Sequence, residues 1–382
     1  MKLTNELQVA ALLGRNNMSD RDIVECYKLL EIIDFDEFIF IIEQSKIWPS
    51  VYSNIHQYFR PSIPERVYEY LKKKYQNNVK KCSDQFRLLS IIEHKLENNG
   101  VSYGCFKGSY LALKLYGDLA KRYSNDIDII VCEKDLERVD ELLRELGFEC
   151  DVFSSFSNEM LKMYFKSQKD LIYKNDKVVL ELHIRLSVEK SRLSEHCSKW
   201  FIEENSPSNI SVLEFIYLCW HSSRSLNFRL KWLVDIVEYI EVLEKSTSNV
   251  FDSIIKKSKE LNVFGHISSC LYLSSMIFGH FIPDEIKRHV ESKPALLKVI
   301  NDSVEALIYR RDITSPRFMI KIAFCRIALS HGIYRKASML VRLLFYPNVS
   351  DIIRMKEVSY RLPSILYIAR PLLLLKRIVA NK

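Results

Sequence analysis

From about residue 18 to 96 the apolar positions recur at helical spacing, in runs such as SDRDIVECYKLLEII and IPERVYEYLKKKY. Ser19 followed by Asp22 predicts an N-terminal capping box, and Pro64 stands near the start of a second helix, where its missing donor costs little. The period changes at Gly100. VSYGCF predicts a short strand, Ser109 to Tyr116 a helix, and DIDIIVC a strand rich in Ile and Val. In EKDLERVDELLRELGF, Leu136, Val139, Leu142, Leu143 and Leu146 form an apolar helical stripe that Gly147 would terminate. MLKMYF, KDLIY and KVVLELHIRL follow as continuing sheet segments, the last two joined at Lys174, Asn175 and Asp176 as a hairpin. From Ser211 the period is helical again, through NISVLEFIYLCWHSS, LNFRLKWLVDIVEYIEVLE and a last section broken near Tyr346 and Pro347.

The fold class this predicts is α+β, a small mixed sheet embedded between N-terminal and C-terminal helical regions. The divisions fall at 1–97 (helical), 98–190 (sheet), 191–304 (helical) and 305–382 (basic and helical). With 382 residues and 48% hydrophobic side chains the chain can bury a sizeable core. Its 20 Tyr and 20 Phe against 9 Gly and 10 Pro suit packed helices better than a glycine-rich repeat.

Charge and cysteine usage narrow the picture modestly. A net charge of +8 permits an anionic partner without selecting nucleic acid. Nine dispersed cysteines, with neither CxxC nor zinc-ligand spacing, read as reduced thiols and predict a cytoplasmic protein. The N-terminus lacks the long apolar core of a secretion signal, and SILYIARPLLLLKRIVA is interrupted by Arg370 and Pro371, so no transmembrane segment is expected. The section from 305 onward carries fifteen Lys and Arg against four acids. It reads first as a solvated helical surface; RNA, which is not favoured, and a peripheral membrane contact are the other readings.

The chemistry is concentrated in SNDIDIIV. Residues two apart on a strand share a face, so Asp126 and Asp128 point together while Ile127 and Ile129 enter the opposite, apolar face. Close carboxylates repel unless a cation compensates them, and Mg²⁺ accepts one or two carboxylates and completes its shell with water and phosphate oxygens. In VVLELHIRL, Val179, Glu181, His183 and Arg185 share a face; Glu181 becomes a third acid if its strand lies beside the DxD strand, and otherwise pairs with Arg185. In CFKGSYLALKLYGD, Gly108 permits a tight turn, Ser109 and neighbouring amides open a helix toward a phosphate, and Lys107 adds a cation. Arg122, four residues before Asp126, presents a planar fork that suits either phosphate or an ion pair. GxxxxGK[ST], GxGxxG and GxSxG do not occur.

A glycine turn, a helix, an acid pair on a strand and a later third acid resemble the DNA polymerase beta type nucleotidyltransferase superfamily. The narrower resemblance is to a bacterial branch called uncharacterised nucleotidyltransferases, or nucleotidyltransferase family 5, through KGSYLALKLYGDLAKRYSNDIDIIV, LELHIRL and CWHSSRSLNFRLKWLVDI. The broad likeness spans about 100 to 190 and the narrower one about 15 to 282. The gap from Ser109 to Asp126 exceeds the compact superfamily pattern, and RSLNF at 224–228 replaces a His-Trp pair usual in the branch.

The resemblance implies transfer of a nucleoside monophosphate from an NTP to an unidentified small-molecule, peptide or RNA acceptor. It makes Asp126, Asp128 and Glu181 the catalytic, metal-holding acids, with Mg²⁺ as the ion and Mn²⁺ as a substitute. Lys107, Gly108, Ser109 and Arg122 would bind the nucleotide. His183, His221, Arg229 and Asp235 are candidates for supporting the acids or meeting substrate. Trp232 reads as core, and Lys231 with Asp235 has the spacing of a bridge along one helix. Transfer of another group from an activated phosphate donor, and a noncatalytic binding module, are the competing readings. The sequence leaves nucleobase, acceptor and oligomeric state open.

Overall fold

The computed structural model describes residues 3–156, 158–189, 191–246, 248–309, 315–347, 351 and 365–380. Four strands form one sheet: β1 (Tyr103–Cys105), β2 (Asp126–Val131), β3 (Asp170–Lys174) and β4 (Val179–His183), in the order β1-β2-β4-β3. β1 runs antiparallel to β2, β2 parallel to β4, and β3 antiparallel to β4. The sheet is therefore mixed and lies among helices on both sides of it in the chain, an α+β arrangement. MLKMYF does not extend it: these residues belong to the helix Asn158–Ser167. The KDLIY and VVLELH hairpin does form, and Asn175 closes it by accepting from the Lys177 and Val178 amides.

Strand alternation decides what each face does. Ile127 and Ile129 of β2, Leu180 and Leu182 of β4, and Leu171 and Tyr173 of β3 enter one core with Leu89, Ile92 and Leu96 of the long helix Glu65–Asn98. Val139, Leu142 and Leu143, on the helix Leu136–Glu145, complete it. That helix stops at Glu145, and Gly147 follows with φ of 79°, as the terminating glycine requires. The opposite sheet face, which carries Asp126 and Asp128, turns toward a larger helical core containing Phe106, Leu111, Ile130 and Leu186.

That larger core draws on both ends of the chain. Leu7, Val9 and Leu13 of the first helix pack with Leu230, Leu233 and Ile236 of Leu230–Ser246, Ile267 and Leu271 of Phe264–Phe278, and Val299 and Ile300 of Pro294–Tyr309. Arg15 crosses this junction to Glu238 at 2.7 Å. The helical sections before and after the sheet are thus packed on one another. Ser19 and Asp22 make the reciprocal capping box, and Pro64 caps the long helix. Near the end, Ile333–Phe345 is a surface helix with no buried residue, and Ile365–Ala380 passes through Pro371 without ending there. Among the described residues no helix is long and apolar enough to cross a membrane.

Candidate functional site

The turn after β1 is conformationally demanding. Lys107 has φ of 57° and Gly108 of 40°, so two successive residues occupy positive φ where the helix Gly108–Tyr116 opens. Gly104 lets β1 lie against the helix Arg192–Glu203, since a Cβ there would sit 2.0 Å from the Phe201 carbonyl oxygen. The turn is thereby held against both the sheet and its covering helix, with Lys107 directed back toward β2. Its Nζ lies 3.7 Å from Asp128 Oδ1 and 5.7 Å from the centre of the Tyr217 ring.

Parallel pairing of β2 with β4 places Asp128 directly opposite Glu181, and Asp126 opposite Val179. His183 reaches the same cluster: its Nε2 is 3.1 Å from Asp128 Oδ1 and 3.5 Å from Glu181 Oε2. The ligand atoms of Asp128, Glu181 and His183 lie within 4.8 Å of one another, a spacing that can hold one metal ion. The other His183 nitrogen, Nδ1, faces the Lys169 ammonium at 3.3 Å, so partner chemistry assigns Nδ1 as acceptor and Nε2–H as donor to Asp128. The imidazole is fully buried and packs edge-on against Phe106.

Electrostatics separate the two acids of the DxD pair. Burial pushes the Asp126 carboxyl up to about 6, and repulsion from Asp128 and Glu181 adds to it. Burial acts on Asp128 in the same direction, but Lys107 and the His183 hydrogen bond outweigh it and hold that carboxyl well below the usual range. The donor set fits a hard divalent cation: the Asp128 and Glu181 carboxylates converge, and a cation would offset both the burial and the repulsion that raise Asp126.

The remaining candidates divide into two groups. His221 is half-buried beside Trp232 and Tyr217, and burial, then Lys107 and Lys169, pull its imidazole well below the ordinary value, so it stays neutral. Arg229 lies over the Phe228 and Trp232 rings, within the field of Asp126, and its buried Nε has no hydrogen-bond partner among the described residues. Arg122 and Asp235 instead face each other below the turn. Nε donates to Oδ1 at 2.9 Å and Nη2 to Oδ2 at 3.0 Å, while Nη1 reaches the Gly108 carbonyl at 3.3 Å. Asp235 also accepts from the Tyr116 hydroxyl at 3.0 Å. The Arg122 fork is thus committed to protein groups and ties the glycine turn to Leu230–Ser246.

Lys231 does not bridge to Asp235; its ammonium donates to the Tyr123 carbonyl at 3.0 Å. Burial, then Arg122, lowers that ammonium to about 7, and Asp126 lies close enough to act against the shift. Arg185 turns to the Gln168 carbonyl at 2.7 Å, leaving Glu181 to the acid cluster. Two cations were missed by sequence reasoning, Lys231 as a neighbour of Asp126 and Lys169 as the partner of His183. Lys169 had only one local signal, its place immediately before a strand; its partnership depends on the β3–β4 register, in which Asp170 faces His183.

The long segment between Ser109 and Asp126 also has a structural account. It holds the helix to Tyr116, Gly117 at φ of 64° and the short turn Leu119–Lys121, which together deliver Arg122 to Asp235. RSLNF forms a tight connection in which Leu226 and Asn227 both have positive φ, and the buried Asn227 accepts from the Ser222 hydroxyl at 2.7 Å.

No curated protein and no solved structure matches this chain. The family model described as "Uncharacterised nucleotidyltransferase" matches residues 31–279, which include the turn, both acid strands and the Arg122–Asp235 pair. On that match over more than half its length, the chain belongs to the uncharacterised nucleotidyltransferase family, whose activity is transfer from a nucleoside triphosphate.

Proposed function

We propose that the chain transfers a nucleoside monophosphate from an NTP to an acceptor hydroxyl, with Asp126, Asp128 and Glu181 holding Mg²⁺, or Mn²⁺ in its place. The observation that carries this reading is the β2–β4 register, which sets Asp128 against Glu181 with Asp126 on the same face. A bound divalent ion would supply charge compensation for the triphosphate and for the attacking and leaving oxygens.

The chain's own groups have distinct work. Lys107 and the amides opening the helix at Gly108 and Ser109 cradle the triphosphate, using the positive end of the helix and a fixed cation. His183 holds Asp128 through Nε2–H and is itself oriented by Lys169. Arg229 and Lys231 bring positive charge to Asp126, and the imidazole of His221, between Tyr217 and Trp232, stays neutral. In the transfer, an acceptor oxygen bonds to the α-phosphorus, the bond to the β-phosphate oxygen breaks and pyrophosphate leaves. The acceptor proton passes to a cluster carboxylate or to water.

Nine dispersed cysteines without CxxC spacing support a reducing, cytoplasmic setting. The test is mass spectrometry of a mixed acceptor extract supplied with Mg²⁺ and labelled NTPs. The expected result is an adduct gaining a nucleoside monophosphate, reduced at least a hundredfold by Asp128→Asn or Glu181→Gln, with the thermal midpoint without metal retained in Glu181→Gln. Release of a nucleoside diphosphate instead of pyrophosphate would replace nucleotidyl transfer with transfer of another group.

A further inference from the structure

A cleft of about 580 Å³ opens beyond the end of β4, between the segment 185–189, the helix Val212–Ser223 and the surface helix Ile333–Phe345. Lys166, Arg185, Arg224, Arg335 and Arg342 line it, against the single carboxylate of Glu189. That carboxylate is already taken: Glu189 Oε2 accepts from Arg224 Nη2 at 2.9 Å and from the Ser187 hydroxyl at 2.9 Å. The cleft therefore keeps several positive charges without an acid of its own to answer them.

Arg185 gives this excess a direction. Its Nη2 donates to the Gln168 carbonyl, but its Nε is buried and without a hydrogen-bond partner among the described residues. A buried guanidinium donor left unmatched costs free energy until an acceptor reaches it, and an anion with several oxygens is the group that guanidinium forks match best. The volume corresponds to a small molecule rather than a polymer groove.

Position ties the cleft to the acids. Arg185 follows His183, the last residue of β4, by two residues, across a bend at Ile184. Trp220, which lines the cleft, directly precedes His221, and that imidazole lies within the field of both Lys107 and Arg224. The Lys107–Gly108 turn on the other side of the cluster is already suited to the triphosphate.

We propose that this cleft binds a small molecule bearing a phosphomonoester, which becomes the acceptor if Asp126, Asp128 and Glu181 are the transfer centre as read above. The phosphate would sit among Arg185, Arg224 and Arg335, leaving a hydroxyl of the same molecule to extend past His183 toward the acids.

The test is titration calorimetry on the full chain with sn-glycerol 3-phosphate, with glycerol and inorganic phosphate as separate arms. Glycerol 3-phosphate should bind at least tenfold more tightly than either. Arg185→Gln/Arg335→Gln should weaken it at least tenfold, Arg185→Lys/Arg335→Lys should recover part of the loss, and Asp126→Asn/Asp128→Asn should retain binding. Arg335 lies on the surface helix, so its replacement leaves the core intact; circular dichroism checks this. Equal binding of glycerol and glycerol 3-phosphate, or no effect of the Gln pair, overturns the site. Tighter binding of free phosphate overturns the ester, and binding of a short single-stranded RNA in place of glycerol 3-phosphate overturns the small molecule. If the cleft binds the ester but no acceptor is ever nucleotidylated, the site stands and the transferase reading fails.

Discussion

Replacing Arg122 separates a phosphate-binding arginine from one that holds the site together. Its guanidinium and the Asp235 carboxylate are both buried, with 5% and 2% of their surface exposed, and meet through two hydrogen bonds of 2.9 and 3.0 Å. Removing one member of such a pair leaves an uncompensated buried charge, at a cost of about 3–5 kcal/mol. Unfolding entropy of about 2.1 cal/mol/K per residue over 382 residues is roughly 0.8 kcal/mol/K, so Arg122→Met should lower the thermal midpoint by about 4–6 °C. Arg122→Met/Asp235→Leu should recover about 1–3 kcal/mol of that loss, because both charges leave together. In steady-state kinetics the single variant should lower kcat, through the lost support of the Gly108 carbonyl, with KM for NTP changing less than threefold. An unchanged midpoint accompanied by a tenfold rise in KM would refute this reasoning and return Arg122 to the triphosphate.

Two further outcomes follow from the site's geometry. Gly104→Ala forces a Cβ onto the Phe201 carbonyl, so the variant should lose about 1–3 kcal/mol in urea denaturation or shift β1 away from its covering helix. Asp126, with its carboxyl at about 6 in the metal-free fold against 3.8 ordinarily, must release a proton to hold Mg²⁺. Apparent Mg²⁺ affinity by calorimetry should fall up to tenfold per pH unit below about 6 and level off above about 7. The sign for stability is opposite: this raised carboxyl favours the metal-free fold at low pH, and its contribution is lost as pH rises from about 4 to about 6.

The sequence by itself determined the elements whose pattern is local. Alternation in DIDIIV set both aspartates on one face, because successive side chains on a strand point oppositely, and Ser19 with Asp22 specified a helix start within four residues. The helical reading of 18–96 and the hairpin before Glu181 rest on the same short-range rules. MLKMYF misled because a short apolar run carries too few residues to separate a period of two from one of 3.6. What only the tertiary structure decided were contacts between distant segments. Strand order made Glu181 the neighbour of Asp128 rather than the partner of Arg185, and the β3–β4 register brought Lys169 to His183. Arg122 and Asp235 were each legible as candidates, but their 113-residue separation hid that they satisfy one another. Burial made that mutual pairing necessary: neither charge can remain alone out of water, and no local pattern states which opposite charge the fold will bring to it.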